Sequence, residues 1–530
     1  MKKTLLSLLL ACIAMPAVHA EESTLAGNSK LHWITLSDAA FQQLKKINPA
    51  LSPKHSASLA SDASGLPTGK FSAHTGEAEK VHAVQVTEAQ MLALSEKVHH
   101  ELKRCGGFMF HPNEAAARTA LSTPVKQGLA ATRPSYKIAN QALVKAILPT
   151  MQDSNIAQTI IDLTNFTNRY YQSQGGVNSS NWLLQKWKTM AQGRSDISAV
   201  QFKHSSWAQP SVILTIQGTD RASEVVVLGA HLDSISMNGT SETTRAPGAD
   251  DDASGIASMT EVLRAMIANK YKPRRTIKMI AYAAEEVGLR GSQEIATSFA
   301  NAKTNVVGVM QLDMTNYKGG ANDIYLFTDY TDNAQNTFIG NLIATYLPGV
   351  KVGSDKCGYA CSDHASWSRL GYAASMPFES PMNAHNPHIH TANDTFANSG
   401  NQAQHALKFA RMAAAFAIEL GSEGAVTPPS GTDKTETFSG SLARGAKKSF
   451  GPFKAAAGSL KAITSGTGDI DMYVKKGSAA SSSSYDCRSV GSTASESCSV
   501  NLTANGDVYL QLTGYTAGTY KLSVTYKTQK

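Results

Sequence analysis

Two adjacent glutamates, Glu285 and Glu286, follow a mostly apolar run over residues 276–284 that predicts a buried strand. Two neighbouring carboxylates at the end of such a strand are costly unless a cation or a shared proton offsets their charge. Further residues that could bind a cation are His231, Asp233, Asp250, Asp251, Asp252, Asp313 and His390. One histidine per metal, with carboxylates completing and bridging the pair, is a ligand arrangement suited to two catalytic zinc ions.

Alternating strands and helices position these residues. Near-continuous apolar runs and helical periodicity predict strands over 224–230, 276–284, 305–312 and 324–328, and helices over 253–270, 292–300, 333–346 and 402–420. This alternation indicates an α/β fold whose mainly parallel mixed sheet is covered by helices on both faces. His231, the two glutamates and Asp313 follow three of the predicted strands. Open α/β sheets carry their sites at these carboxyl ends.

The composition indicates an exported globular protein. With 530 residues, of which 42% are hydrophobic, the chain predicts two or three domains. Residues 1–20 have the charged start, apolar run and small-residue cleavage site of a signal peptide, so we expect secretion to the extracellular space. The net charge of +8 is not concentrated in the segment that carries the candidate site. We therefore expect no nucleic-acid partner. No stretch after residue 20 approaches the roughly 20 apolar residues needed to span a bilayer, so we expect no membrane partner. We also expect a monomer.

The six cysteines fit an oxidising compartment. Cys357 and Cys361 are close enough in sequence to form a disulfide, and so are Cys487 and Cys498. The first pair could also hold a metal, although the histidines and carboxylates above form the better ligand set. Cys105 has no partner once the signal peptide is removed, which favours the loss of its segment from the final product.

Six ordered motifs resemble those of the secreted bacterial leucyl aminopeptidases of the dizinc exopeptidase family. They are His231-Leu-Asp-Ser, Pro247-Gly-Ala-Asp-Asp-Asp-Ala-Ser-Gly255, Ala281-Tyr-Ala-Ala-Glu-Glu-Val-Gly-Leu-Arg-Gly-Ser292, Gln311-Leu-Asp-Met-Thr-Asn-Tyr317, Cys357-Gly-Tyr-Ala-Cys-Ser-Asp-His-Ala-Ser-Trp367 and Ile389-His-Thr391. The resemblance covers residues 135–421. It implies the zinc exopeptidase fold and a secreted metallo-aminopeptidase. Such an enzyme removes N-terminal residues, preferably leucine and other large apolar ones, from peptides with free N-termini.

The resemblance also implies two zinc ions per catalytic domain. The implied ligands are His231 and Asp313 for one ion, Glu286 and His390 for the other, and Asp251 bridging both. The sequence does not determine which metal is loaded in the cell, since Mn²⁺ or Co²⁺ could occupy similar ligands. We interpret Asp250 and Asp252 as loop-forming residues rather than ligands.

Three further residues receive roles from the resemblance. Glu285 would be the general base that takes a proton from a water bridging the metals. Tyr359, held by the 357–361 loop, would donate its hydroxyl to the developing oxyanion. Asp233 fits an acceptor that fixes the imidazole of His231. The family also has a cis peptide bond between the residues that correspond to Asp251 and Asp252.

A substrate pocket follows from the same resemblance. Its wall would be drawn from Met314, Phe327, Met376, Phe378, Met382 and Ile389, together with Cys357, Tyr359 and Cys361. An almost wholly apolar wall predicts a preference for large apolar side chains, leucine above all, because a charged side chain would lose water without gaining a partner. His385 stands where the family often has an aromatic residue, which leaves open the entry of some polar or acidic side chains.

The remaining segments complete the predicted organisation. It consists of a signal peptide at 1–20, a pro-segment at 21–134, the catalytic domain at 135–425, a linker at 426–433 and a small β-sandwich at 434–530. The sandwich resembles the bacterial pre-peptidase C-terminal domain in Gly468–Val474, Tyr485–Arg488, Glu496–Cys498 and Gly514–Tyr520. Its Asp469 and Asp471 are interpreted as turn residues, with calcium binding as the alternative.

Within the pro-segment, residues 87–103 are weakly helical. His99, His100, Glu101 and His111 lack the His-Glu-x-x-His spacing of a zinc helix, so we interpret them as solvated. Two other functions stay open for the whole chain: another exopeptidase or a cyclase on the same scaffold, and an inactive binding protein. The chain has no Gly-x-Ser-x-Gly elbow, which disfavours serine hydrolysis.

Overall fold

The computed structural model describes residues 30–59, 79–104, 106–121, 134–423, 432–456, 458–502 and 506–529. The predicted signal peptide, Cys105 and most of the predicted linker lie outside these residues. Secondary structure falls into an N-terminal unit (30–121), a central unit (134–423) and a C-terminal unit (432–529). None of the helices in the described ranges has the length and apolar character required to cross a bilayer.

The N-terminal unit is an antiparallel sheet packed against helices. Its elements are β1 His32–Ser37, α1 Asp38–Ile47, β2 His55–Leu59, β3 Glu79–Val86, α2 Glu88–Leu102, β4 Phe108–His111 and α3 Glu114–Leu121. The strands follow the order β2-β3-β1-β4. Ile34 and Leu36 of β1 face the core formed with α1 and α2. Side chains alternate along a strand, so Thr35 between them points to the opposite face. The helix predicted at 87–103 is confirmed as α2, and it begins with a capping box at Thr87.

The central unit contains every strand and helix predicted for it. Its helices are α4 Gln141–Ile147, α5 Asp153–Thr164, α6 Gln174–Met190, α7 Ala253–Ala268, α8 Arg290–Asn301, α9 Asn333–Tyr346, α10 His364–Ser368 and α11 Gln404–Gly421. Its strands are β5 Ile197–Phe202, β6 Ser211–Ile216, β7 Arg221–His231, β8 Arg275–Tyr282, β9 Asn305–Gln311, β10 Ile324–Phe327, β11 Val352–Asp355, β12 Ala374–Ser375 and β13 Pro377–Phe378.

Six of these strands form one mixed sheet in the order β12-β9-β7-β8-β6-β5. Strands β12, β9, β7 and β8 are parallel, whereas β6 runs antiparallel to β8 and β5 antiparallel to β6. Val226 and Leu228 of β7 enter the core beneath α7 and α11, and Val225 and Val227 enter the core on the opposite face. Both faces are buried, which explains the continuous apolar run and confirms the predicted α/β fold.

The C-terminal unit is a β-sandwich. Its strands are β14 Asp433–Leu442, β15 Lys447–Ala455, β16 Gly458–Gly466, β17 Ile470–Lys476, β18 Cys487–Ser489, β19 Ser497–Leu502, β20 Gly506–Gly514 and β21 Gly518–Lys527. They form two antiparallel four-stranded sheets, β14-β21-β16-β19 and β15-β20-β17-β18, around a core of their own residues. A disulfide joins Cys487 of β18 to Cys498 of β19 and so links the two sheets. The second predicted disulfide, Cys357–Cys361, is also present.

Candidate metal centre

Three neighbouring parallel strands bring the candidate ligands together. Strand β7 ends at His231 and lies between β8, which leads into Glu285 and Glu286, and β9, which leads into Asp313. Parallel strands end at the same edge of the sheet, so these side chains converge there. Asp251 comes from the turn just before α7. His390 comes from the loop between β13 and α11.

Asp251 lies between the two histidines, with one carboxylate oxygen toward each. Its Oδ1 is 2.8 Å from Nε2 of His231, and its Oδ2 is 3.1 Å from Nε2 of His390. Nε2 of His231 is also 3.5 Å from Oδ1 of Asp313, and Nε2 of His390 is 2.8 Å from Oε2 of Glu286. The five predicted ligands therefore form two groups that share one carboxylate.

The donor atoms fit a pair of zinc ions. Despite these short distances, Oδ2 of Asp251, Oε1 of Glu286, Oδ1 of Asp313 and both ring nitrogens of His390 are buried and have no partner with hydrogen-bond geometry among the described residues. Buried polar atoms are rarely left unpaired, and several that converge on one place indicate a group that completes them. Imidazole nitrogens and carboxylate oxygens are ordinary zinc ligands. A separate group of possible metal ligands consists of Cys357, Cys361 and His364. It does not fit a metal, because the two cysteines form a disulfide.

The carboxylates on either side of Asp251 bind backbone groups. Asp252 caps α7 by accepting from the N–H of Gly255 at 2.9 Å, and its other oxygen accepts from the N–H of His231 at 2.9 Å. Asp250 accepts from the N–H of Asn316 at 3.0 Å. These contacts match their interpretation as loop-forming residues. The peptide bond between Asp251 and Asp252 is cis, as the resemblance implies.

Asp233 positions the two glutamates as well as the histidine. Its carboxylate accepts from the backbone N–H of Glu285 at 3.0 Å and of Glu286 at 3.2 Å. Its backbone carbonyl is 3.1 Å from Nδ1 of His231, whereas its carboxylate is 3.7 Å from that nitrogen. Nδ1 therefore carries the proton that the carbonyl accepts, which leaves Nε2 free to bind a metal.

Burial shifts the acidity of both glutamates. It raises the pKa of Glu286 to about 7, although the positive charge of His390 opposes the shift. Burial also raises the pKa of Glu285 well above its ordinary value, and the negative charges of Asp363 and Asp313 add to this effect. A bound dication would oppose both shifts.

Two residues that the sequence analysis missed hold the loop that carries Asp251. Arg169 is fully buried and donates to the carbonyls of Leu232 at 2.8 Å and Gly248 at 2.9 Å. Asp394 accepts from the N–H groups of Asp250 and Asp251, each at 3.1 Å. Asp394 could have been suspected from its place four residues after His390. Arg169 gives no local signal, because its partners come from distant loops.

Several residues next to the site have strained backbones. Ala284 precedes the two glutamates, Met314 follows Asp313, and His390 is itself a predicted ligand; all three have φ between 57° and 58°. Residues other than glycine rarely adopt this left-handed conformation, which costs about 1–3 kcal/mol per residue. Residues with such strain cluster at functional sites.

Most of the predicted pocket residues pack into one buried cluster beside the metal centre. Six of them, Met314, Phe327, Met376, Phe378, Met382 and Ile389, belong to it together with Cys357, Cys361 and Tyr325. Tyr359, which was also predicted for the pocket wall, packs in a different cluster with residues of the N-terminal unit. The rings of Phe327 and Phe378 are 4.9 Å apart. Tyr325 was not predicted, although it lies on the same short strand as Phe327.

Tyr359 contacts the N-terminal unit. Its hydroxyl donates to Oγ1 of Thr35 at 2.7 Å, and Oγ1 of Thr35 is 2.7 Å from Nε2 of His111. Nearby, the N–H of Phe110 donates to the carbonyl of Gly288 at 3.0 Å, two residues beyond Glu286. The N-terminal unit thus lies directly over the predicted catalytic residues.

The interpretation of His99 and His111 as solvated is wrong. Only 5% of His99 and 4% of His111 are exposed, whereas His100 and Glu101 are exposed as expected. His99 lies on the buried face of α2, eight residues after Met91, so the helical repeat turns it inward. Its ring centroid is 5.4 Å from those of both His385 and His390. Burial, together with these two rings, lowers the pKa of His99 to about 2, so its imidazole is neutral.

Comparison with known proteins agrees with this architecture. The model of Peptidase family M28 matches residues 211–417, and that of the bacterial pre-peptidase C-terminal domain matches residues 453–514. The probable leucine aminopeptidase 1 of Trichophyton verrucosum is 33% identical over 351 residues, which cover 64% of this chain and 91% of that protein. The leucine aminopeptidase 1 of Neurospora crassa is 36% identical over 336 residues, which cover 60% and 80%.

A solved structure extends the similarity to most of the chain. The LapA aminopeptidase of Legionella pneumophila is 30% identical with a TM-score of 0.60, and the match covers 74% of this chain and 99% of that one. The fold and the family match define a peptidase of the metal-dependent α/β class. The chain belongs to peptidase family M28. It is a metallo-aminopeptidase that acts on peptides, and its family implies zinc as the metal.

Proposed function

We propose that the chain is a secreted aminopeptidase that uses two zinc ions and removes leucine and other large apolar residues from peptide N-termini. The observation that carries this proposal is the position of Asp251, whose two oxygens face His231 and His390 at 2.8 and 3.1 Å. Asp313 and Glu286 supply one further carboxylate on each side. Five ligands with one shared carboxylate suit two ions better than one.

In the proposed mechanism the chain's own residues orient the reactants and move the proton. When bound, the zinc pair would polarise the scissile carbonyl and make water more acidic. Glu285 would take the proton from the attacking water and return it to the leaving amine. The carboxylate of Asp233 fixes the backbone from which Glu285 extends. Tyr359 would donate its hydroxyl to the oxygen on which negative charge develops.

The apolar cluster beside the centre supports the proposed preference for leucine. Its six predicted members are all uncharged and at most 5% exposed, and three are methionines, whose flexible side chains adapt to differently shaped partners. A charged substrate side chain would lose its water there without finding a counter-charge in this cluster. His385 borders His99 rather than belonging to the cluster, so it could still admit some polar side chains.

We also propose that residues 21–134 are a pro-segment that must leave before substrate can enter. Glu285, Asp251 and His390 are at most 6% exposed while the N-terminal unit is in place. The catalytic domain would then comprise residues 135–425, followed by the linker at 426–433 and the sandwich at 434–530. The pre-peptidase C-terminal domain is typical of secreted proteases, which supports export.

Matched substitutions of the two adjacent glutamates test the proposal. Glu285→Gln should keep both zinc ions while kcat falls about 10²–10⁴-fold, because a positioned general base contributes that much. Glu286→Gln should instead lower the zinc content, because it removes a ligand. Elemental analysis and hydrolysis of leucine p-nitroanilide by the processed enzyme measure both effects.

Three outcomes would contradict the assignment. One zinc or none in active enzyme would exclude the two-ion site. Loss of zinc in Glu285→Gln, with zinc retained in Glu286→Gln, would reverse the two roles. Equal hydrolysis of substrates with free and blocked amines would exclude an aminopeptidase.

A further inference from the structure

His99 of the N-terminal unit lies beside His390, a candidate ligand of the metal centre. It lies near the end of α2, where Met91, Leu94 and Val98 also face inward. The residue is only 5% exposed, and its Nδ1 has no hydrogen-bond partner among the described residues. A buried polar atom without a partner calls for an explanation, and an ion is one of the possible ones.

The distance between the rings fits a shared metal. The ring centroids of His99 and His390 are 5.4 Å apart, and the rings are inclined at 41°. With zinc–nitrogen bonds of about 2.0–2.1 Å and tetrahedral angles, two imidazoles on one zinc have centroids about 5 Å apart. The two rings therefore lie at about the separation that a common metal would impose.

The chain that follows α2 packs against the 357–361 disulfide loop. Gly106 approaches the disulfide loop so closely that an added Cβ would lie 3.0 Å from the carbonyl oxygen of Cys361. The side chain of Arg104 lies against Gly358, where an added Cβ would meet Nη1 at 2.3 Å. The end of α2 is thus tied to the loop that carries Tyr359.

We propose that the imidazole of His99 is a metal ligand in the uncleaved chain, bound to the zinc of Glu286 and His390. This inference rests on the proposed two-zinc site and goes beyond it. Catalytic zinc sites keep one position open for water or substrate, whereas structural sites are closed by protein ligands. His99 closes that position, so cleavage of the N-terminal unit converts a closed site into an open one.

The rate of zinc loss from the full-length chain tests this ligand. Zinc-loaded wild-type protein, His99→Phe and His100→Ala are mixed with an excess of a chromophoric chelator, and metal transfer is followed by absorbance. Phenylalanine fills the space of the imidazole and still excludes solvent, but it cannot bind zinc. We expect His99→Phe to release one of its two zinc ions at least about 10-fold faster than wild type, in line with the loss of a metal-site contact. The exposed neighbour His100 provides the matched control, and His100→Ala should behave as wild type.

X-ray absorption at the zinc edge gives a second reading that does not depend on rates. The proposal expects more imidazole scattering per zinc in the full-length wild-type chain than in His99→Phe, and no such difference for His100→Ala. If His99→Phe releases zinc as slowly as wild type and has the same imidazole scattering, His99 only blocks the site and the inference is overturned. Because both readings are taken on uncleaved protein, this failure would leave the proposed two-zinc function standing. A processed enzyme that binds fewer than two zinc ions would overturn the function instead.

Discussion

At the level of single residues, neighbouring aspartates in one loop have different tasks. Asp251 faces both histidines, whereas Asp252 and Asp250 bind backbone N–H groups. The order of residue types in the motifs was enough to predict which five residues the fold brings together as candidate ligands. The contacts of Asp233 with both glutamates and the buried position of Arg169 could not be predicted, because they depend on segments that meet only in the folded chain.

Asp233 provides a test of positioning. Asp233→Ala leaves the N–H groups of Glu285 and Glu286 buried without acceptors, and each such group costs about 1–3 kcal/mol. We expect a lower Tm and a lower kcat in Asp233→Ala, while KM changes little because the pocket is untouched. Asp233→Asn keeps one acceptor oxygen and should be affected less. Thermal unfolding and steady-state kinetics of processed enzyme measure both effects; equal values for the two variants would contradict this role.

Phe378 provides a test of the proposed pocket. Phe378→Ala removes apolar surface beside Phe327 and should reduce kcat/KM for leucine substrates more than for alanine substrates. Burying a leucine side chain contributes roughly 1.5–3 kcal/mol, or about 10- to 150-fold, which sets the largest expected change in the leucine-to-alanine ratio. Phe378→Leu, which keeps most of the surface, serves as the control. An unchanged ratio in Phe378→Ala would place the pocket elsewhere.

At the level of elements, strands buried on both faces were predictable and the N-terminal sheet was not. The apolar runs of β7, β8 and β9 each mark a central parallel strand, and their ends locate the site. Strand β1 has Ile34 and Leu36 on one face and the polar Thr35 on the other. Thr35 is buried, and its hydroxyl accepts a hydrogen bond from Tyr359 of the central unit. Composition and periodicity carry no information about a surface that a distant segment covers.

The disulfide between β18 and β19 gives a prediction at this level. Cys487 and Cys498 are 11 residues apart. Closing a loop of that size removes entropy from the unfolded chain and so raises its free energy by about 3 kcal/mol at 25 °C. Replacing both cysteines with serine should lower the temperature of the calorimetric transition of the C-terminal unit, without changing kcat/KM. Wild-type protein under reducing conditions should show the same shift. A changed kcat/KM in the double serine variant would contradict the conclusion that the core of the C-terminal unit is separate from the candidate metal centre.

At the level of the whole molecule, the N-terminal unit combines three contacts with the site. Thr35 engages Tyr359, Phe110 pairs with Gly288 beyond the two glutamates, and His99 lies beside His390. A shared apolar cluster of Val81, Ala83 and Met109 with Leu289 and Tyr359 joins the two units. Because one body covers the proposed general base, the proposed oxyanion donor and a candidate metal ligand together, its removal should expose all of them at once.

Limited proteolysis of the purified full-length chain tests this directly. Cleavage near residue 134 should raise kcat/KM for leucine p-nitroanilide by at least about 10²-fold, because a substrate amine cannot reach ligands that protein covers. A chain truncated after residue 431 retains the N-terminal unit and loses only the sandwich, whose core consists of its own residues. Before cleavage, this truncated chain should therefore be as inactive as the full-length chain. After cleavage, its kcat/KM should rise by as much as that of the full-length chain. Full activity before any cleavage, with a mature N-terminus near Glu21, would show that the N-terminal unit is a permanent part of the enzyme.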